Sequence, residues 1–158
     1  MNDTVSNPNN EARPKPSQRR KARQYALQAL YQWHMAGANL TDIDAQFRTD
    51  YDMSKVDLSY FSELLHGVPR HLKAIQDGFE PFLDRNFDEL DPIELTTLRI
   101  GTFELMFRLD VPCKVVINEG IELAKRYGAE ESHRYVNGIL DKVAGRARMA
   151  EIRALRGK

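Results

Sequence analysis

Cysteine is almost absent from this chain. A single residue, Cys113, in 158 leaves no intrachain disulfide to form, so the fold does not rely on oxidising conditions. Long apolar runs are missing too: none approaches the roughly 20 residues a bilayer span needs. The polar stretch from Met1 to Asn10 lacks the apolar core of a signal peptide, and a cytoplasmic protein is expected. There is no net charge either, because 23 Lys and Arg balance 23 Asp and Glu, which excludes both a histone-like chain and an acidic disordered one. No GxGxxG motif or P-loop occurs, so no nucleotide cofactor is expected. Period-2 alternation and repeats of about 20–50 residues are likewise missing, which leaves an all-α class.

What is present is a hydrophobic content of 42%, ample for a buried core, and a strongly segregated charge. Residues 1–35 carry six basic and two acidic side chains, residues 142–158 six and one, and residues 36–141 eleven and twenty. Basic ends around an acidic middle suggest two surfaces, one for a polyanion and one for a basic protein.

Residues 1–17, rich in Asn, Pro and Ser, read as a mobile tail interrupted by Pro8, Pro14 and Pro16. Helical spacing then brings Ala22, Ala26, Ala29, Leu30 and Trp33 onto one face over 18–36, closed by Gly37. Short amphipathic segments follow from Thr41, from Asp57 and from about His71, with Pro69 dividing the last two. Asp91-Pro92-Ile93-Glu94 is written like a helix start with a capping box. The helix it opens is apolar on two sides, with Leu95, Leu98, Leu105 and Leu109 on one and Ile93, Ile100, Phe103 and Phe107 on the other, so it belongs in the middle of the molecule between two helical layers. Another helix runs from Pro112 to Gly128, and a last stripe joins Val136, Ile139, Leu140, Val143 and Ala147. That makes about seven helices over a domain spanning 18–148, with a basic extension over 149–158.

On the last helix Tyr135 lies about 100° from the centre of the stripe, and Lys142 and Arg146 fall within about 20° of the same line. An aromatic and basic ridge suits unpaired RNA, whose bases stack on rings while phosphates follow cations; a solvated helix face has the same pattern. Arg19, Arg20, Lys21 and Arg23 crowd four cations into the start of the first helix. There they oppose the macrodipole by a few tenths of a kcal/mol each unless a polyanion compensates them.

Catalytic readings are weaker. Cys113 follows Pro112 at a helix start, where a thiol can be acidic, but no histidine is near in sequence. His66 and His71 are separated by about 140° around a helix and cannot share a metal as an i, i+4 pair does. Glu130 and Glu131 at a helix mouth are explained by capping and the dipole. Neither an enzyme nor a metal site is expected.

Three segments carry a resemblance: RRKARQYALQALYQW (19–33), VPCKVVINEGIELAK (111–125) and ESHRYVNGILDK (131–142). They are similar to the bacterial NusB transcription antitermination factors, from about Arg19 to Arg148. The resemblance implies two small helical bundles packed across each other and no catalytic activity. It also implies binding of the boxA element of nascent RNA together with the ribosomal protein NusE, within an antitermination complex on RNA polymerase. By the same resemblance Arg19, Arg20 and Arg23 carry RNA contacts, as do Arg134 and Tyr135, where the family commonly has Lys-Phe; Lys142 joins them through the ridge. Tyr31, Glu94 and Glu131 fall on the protein-binding surface, although Glu94 and Glu131 also have capping explanations. The expected arrangement brings the cations of the first and last helices together beside the Tyr135 ring. A protein-binding scaffold and an accessory module in ribosomal RNA maturation, of the kind fused to ribosomal RNA cytosine methyltransferases, are the alternative readings.

Overall fold

Eight α-helices and two short 3-10 turns make up residues 14–157, which are those the computed structural model describes; no strand occurs among them. The helices are α1 (Pro16–Ala36), α2 (Leu40–Asp50), α3 (Leu58–Arg70), α4 (Leu72–Phe79), α5 (Pro92–Phe107), α6 (Cys113–Tyr127), α7 (Ser132–Ala147) and α8 (Met149–Arg156), with 3-10 turns at Glu80–Phe82 and Phe87–Glu89. Most of the expected tail lies outside the described residues. Its last proline does not break a helix but starts one: Pro16 is the first residue of α1, where a missing N–H costs nothing.

Local chemistry sets the other ends. Asn39 accepts hydrogen bonds from the N–H groups of Thr41 and Asp42 to open α2, and Asp57 accepts from Tyr60 N–H to open α3. Gly37 closes α1 at φ 66°, a conformation that favours glycine. Pro69 sits in the last turn of α3, and the chain divides at His71. Asp91 caps α5 through Ile93 N–H at 2.7 Å, but Glu94 does not complete a capping box. Instead the Ser132 hydroxyl donates to the Glu94 carboxylate at 2.6 Å.

Every residue of α5 from Glu94 to Leu105 is buried, because α1, α3 and α4 pack on one side and α6 and α7 on the other. Two bundles thus share this helix. Phe107 and Leu109, expected on its apolar stripes, are 39% and 66% exposed: the helix ends at Phe107, where the chain turns out to solvent. In the second bundle Gly101 of α5 and Gly120 of α6 face Leu140 of α7, and a Cβ on either would meet a Leu140 methyl within 2.8 Å. Two missing side chains let three helices close around one leucine.

The direction of α7 decides the layout. Its start touches the start of α5 through Ser132 and Glu94, and its end touches the end of α5, where Arg148 donates to the carbonyls of Glu104, Leu105 and Arg108. The two helices are parallel. Arg148 therefore adds donors to the carbonyls at the end of α5, where Glu104 and Arg108 also accept from the N–H groups of Arg108 and Val111, and it is 4% exposed. The expected basic extension is helical over 149–156, where α8 runs, and its Glu151 accepts from Cys113 N–H at 2.8 Å, capping α6. No helix among the described residues is long and apolar enough to cross a membrane.

Candidate nucleic-acid interface

The three arginines at the start of α1 meet three different environments. Arg23 is 3% exposed, with Nε and Nη2 on Glu104 at 2.9 and 2.8 Å and Nη1 on Glu119 at 3.5 Å. Tyr60 donates its hydroxyl to the same Glu104 carboxylate, and burial, then the charge of Glu104, pushes the phenol pKa well above its usual range. A cation so enclosed cannot reach a phosphate: Arg23 joins the two bundles and is not a ligand contact. Arg20, one residue past Arg19 and three before Arg23, keeps 55% of its side chain exposed while pairing with Glu119 at 3.1 Å. Arg19 is 28% exposed, lies 3.5 Å from Asp57 and places its guanidinium 4.5 Å from the Tyr60 ring centre.

Between α1 and α6 an open groove of about 740 Å³ is lined by Arg20, Gln24, Asn118, Glu122, Lys125 and Arg126. It continues past Arg20 into a second hollow bordered by Arg19, Pro112 and Val115. Lys125 and Arg126 are exposed. The sequence gives no reason to single them out, because cations in the last turn of a helix are explained by its dipole. At the far end Gln28 donates to the Tyr127 hydroxyl at 3.3 Å, and the Arg126 guanidinium lies 5.7 Å from the Tyr127 ring centre.

Tyr135 is half-buried and not sealed in. Its hydroxyl donates to Asp84 at 3.0 Å, and Arg85 lies 4.2 Å from its ring centre. Burial, then the Asp84 contact, raises its pKa. Arg134 is exposed and pairs with Glu131 at 3.1 Å; Lys142 is exposed. The ridge on α7 looks toward the Glu80–Phe82 turn and α4, where Arg146 borders a hollow with Asp77 and Gly78.

The expected convergence is therefore absent. Arg23 fixes the start of α1 near Glu104, whereas α7 starts near Glu94; ten residues of α5 separate these points, about 15 Å at 1.5 Å per residue. The cause is the parallel course of α5 and α7, which brings the end of α7, not its start, toward the first arginines. What spans the gap is α6: its first half borders Arg19 and Arg20, Lys125 and Arg126 follow, and the chain turns into Glu131, Arg134 and Tyr135. The cations form a line, not a patch.

Of the expected protein contacts, Tyr31 is half-buried on α1, one turn beyond the Gln28 that meets Tyr127. Glu131 is exposed beside Arg134, and Glu94 is only 9% exposed, bonded to Ser132. Glu94 therefore positions the start of α7 and offers little surface of its own. Around this end Asp84, Asp88, Glu89, Asp91 and Glu130 are exposed, which makes it acidic. Elsewhere Cys113 is buried, and desolvation, then Glu151, raises its pKa, the opposite of an activated thiol. Among the described residues no group of three or more His, Cys, Asp or Glu is placed to hold a metal ion.

Comparison with known proteins adds to this geometry. The model of the NusB family matches residues 20–145. A protein of Pseudomonas savastanoi pv. phaseolicola named transcription antitermination protein NusB is 57% identical over 143 residues, 90% of this chain and 87% of that one. An Idiomarina loihiensis protein of the same name is 57% identical over 128 residues, 81% of this chain and 92% of that one. The solved structure of T. maritima NusB aligns with a TM-score of 0.69 at 31% identity, covering 84% of this chain and 92% of that one.

Proposed function

The chain belongs to the NusB family, and we propose that it is a transcription antitermination factor that works by binding and not by catalysis. In this reading boxA RNA of the nascent transcript, including that of ribosomal RNA operons, runs along α6 from Arg19 and Arg20 past Lys125 and Arg126 to Arg134 and Tyr135. Lys142 extends the cationic side of the last helix. NusE, a basic ribosomal protein, docks at the acidic end near Tyr31 and Glu131, and the pair joins the elongating RNA polymerase complex with other Nus factors.

The observation that carries the reading is the line of exposed cations beside an open groove, which ends at a half-exposed tyrosine. Phosphates follow such a line through counterion release, and a ring holds an unpaired base by roughly 1–3 kcal/mol. The acidic end complements a basic protein and speeds its approach. RNA adjoining the acidic end explains why one protein needs two surfaces: a basic partner seated there also lowers the repulsion between RNA and the Asp and Glu side chains.

The test is RNA binding with and without NusE, using boxA and a scrambled sequence at fixed ionic strength. Cooperative binding of boxA over the scrambled RNA is the expected result. Equal binding of both, unaffected by NusE, would remove the reading.

A further inference from the structure

On the other side of the first arginines, a cleft of about 760 Å³ opens between α3 and the end of α5. One wall carries His71 and Phe107, whose rings stack on each other 4.3 Å apart at 23°. Phe107 is 39% exposed, and Leu109 beside it 66%. Arg48, Arg70 and Arg108 border the same cleft. Arg48 is held by Asp44, which also meets His66 at 2.9 Å, and Arg108 by Glu63 and Asp110. Arg70 is exposed and forms no ion pair among the described residues. The cleft thus has a stacking surface and a free cation at its rim.

It also connects with the proposed RNA line. Tyr60 takes the Arg19 guanidinium at 4.5 Å and the Arg108 guanidinium at 4.8 Å from its ring centre. Arg19 borders the hollow that continues the α1–α6 groove, and Arg108 borders the cleft. The buried Tyr60 ring thus lies behind both, and at the surface Arg108 of the cleft pairs with Asp110 of the hollow at 2.9 Å.

We propose that this cleft is a second RNA subsite, holding an unpaired nucleotide that flanks the core element, its base against the exposed Phe107 ring, which His71 backs, and its phosphate on Arg70. The inference rests on the antitermination reading and lengthens its footprint. An acidic peptide would use the arginines but give the exposed Phe107 ring no role, whereas a base with its phosphate uses both. A pocket of this size also lies in the range that takes a small organic group.

Anisotropy titrations of the full chain with boxA RNA, and with the same RNA lengthened by a few unpaired nucleotides at each end in turn, test it. Lengthening at one end should tighten binding about tenfold or more. Phe107→Leu should erase that gain. Arg70→Ala should lower the salt slope for the lengthened RNA by about 0.7, and neither change should alter binding of the core RNA. Core and lengthened RNA binding equally well would overturn the subsite and leave the antitermination reading intact; failure of the core RNA to bind, alone or with NusE, would defeat that reading itself. If the gain from lengthening survives both substitutions, or a glutamate-rich peptide binds the cleft and is lost in Arg70→Ala while that gain persists, the RNA assignment is overturned.

Discussion

Replacing Arg23 and Arg20 in turn by alanine separates a structural arginine from a ligand-binding one only three residues away. Arg23 is enclosed, and its removal leaves Glu104 and Glu119 facing a cavity with Tyr60 as the remaining close donor to Glu104. Breaking a buried ion pair from one side costs about 3–5 kcal/mol. For a chain of this length each kcal/mol lowers Tm by roughly 2–4 °C, so Arg23→Ala should melt about 6–20 °C below the parent. Arg20 is largely exposed, and its bond to Glu119 contributes roughly 0–1 kcal/mol, so Arg20→Ala should leave Tm nearly unchanged. With RNA the order reverses. Arg20→Ala should reduce the slope of log K against log salt by about 0.7, while Arg23→Ala, measured well below its own Tm, should leave that slope unaltered. Thermal melts and salt titrations on the same samples supply both numbers. An Arg23→Ala protein with the parent Tm and a reduced slope would refute the assignment.

Tyr135→Ala should weaken RNA binding by roughly 1–3 kcal/mol with no change in salt slope, since a ring contributes stacking and no counterions; a changed slope in anisotropy titrations would contradict this. Gly101→Ala should destabilise the fold by about 1–3 kcal/mol, because the added methyl lies 2.8 Å from Leu140, and an unchanged denaturation midpoint would show that Leu140 moves aside freely. Glu151 has its pKa lowered by the Cys113 N–H bond, with Arg148 adding to the effect, so its contribution is complete above the ordinary glutamate range and lost as pH falls through the lower folded value. Glu151→Gln should therefore lose stability relative to the parent at neutral pH, and that difference should shrink below about pH 4; a gap constant across the titration would contradict the cap.

Periodicity located the helices well because it reports which face of each is apolar. It carries no information about which end of one helix meets which end of another. Nothing in residues 92–107 or 132–147 states that α5 and α7 run parallel, and that one fact sets the start of α7 about 15 Å along α5 from the point where Arg23 meets Glu104. Arg23 was more legible than its place in a basic run suggests. It lies three residues before Ala26 and four before Leu27, within the buried face of α1, and Glu104 sits in a helix that is apolar all round. A cation and an anion at such positions indicate a buried pair, provided the fold joins residues that are far apart in sequence. The role of α8 was hidden for another reason: Arg148 and Glu151 work on backbone groups of α5 and α6, and backbone partners leave no pattern in the side chains. Lys125 and Arg126 became noticeable only once α1 was laid beside α6.

The claim that RNA follows α6 is tested most directly by a salt titration of boxA RNA in the presence of NusE, comparing the parent with Lys125→Ala/Arg126→Ala. Both side chains are exposed, so the fold should be retained. Loss of two phosphate contacts should lower the salt slope by about 1.4 and weaken binding at low salt, with NusE binding unchanged. A double variant that binds boxA with the parent slope and affinity would place the RNA elsewhere and contradict the account.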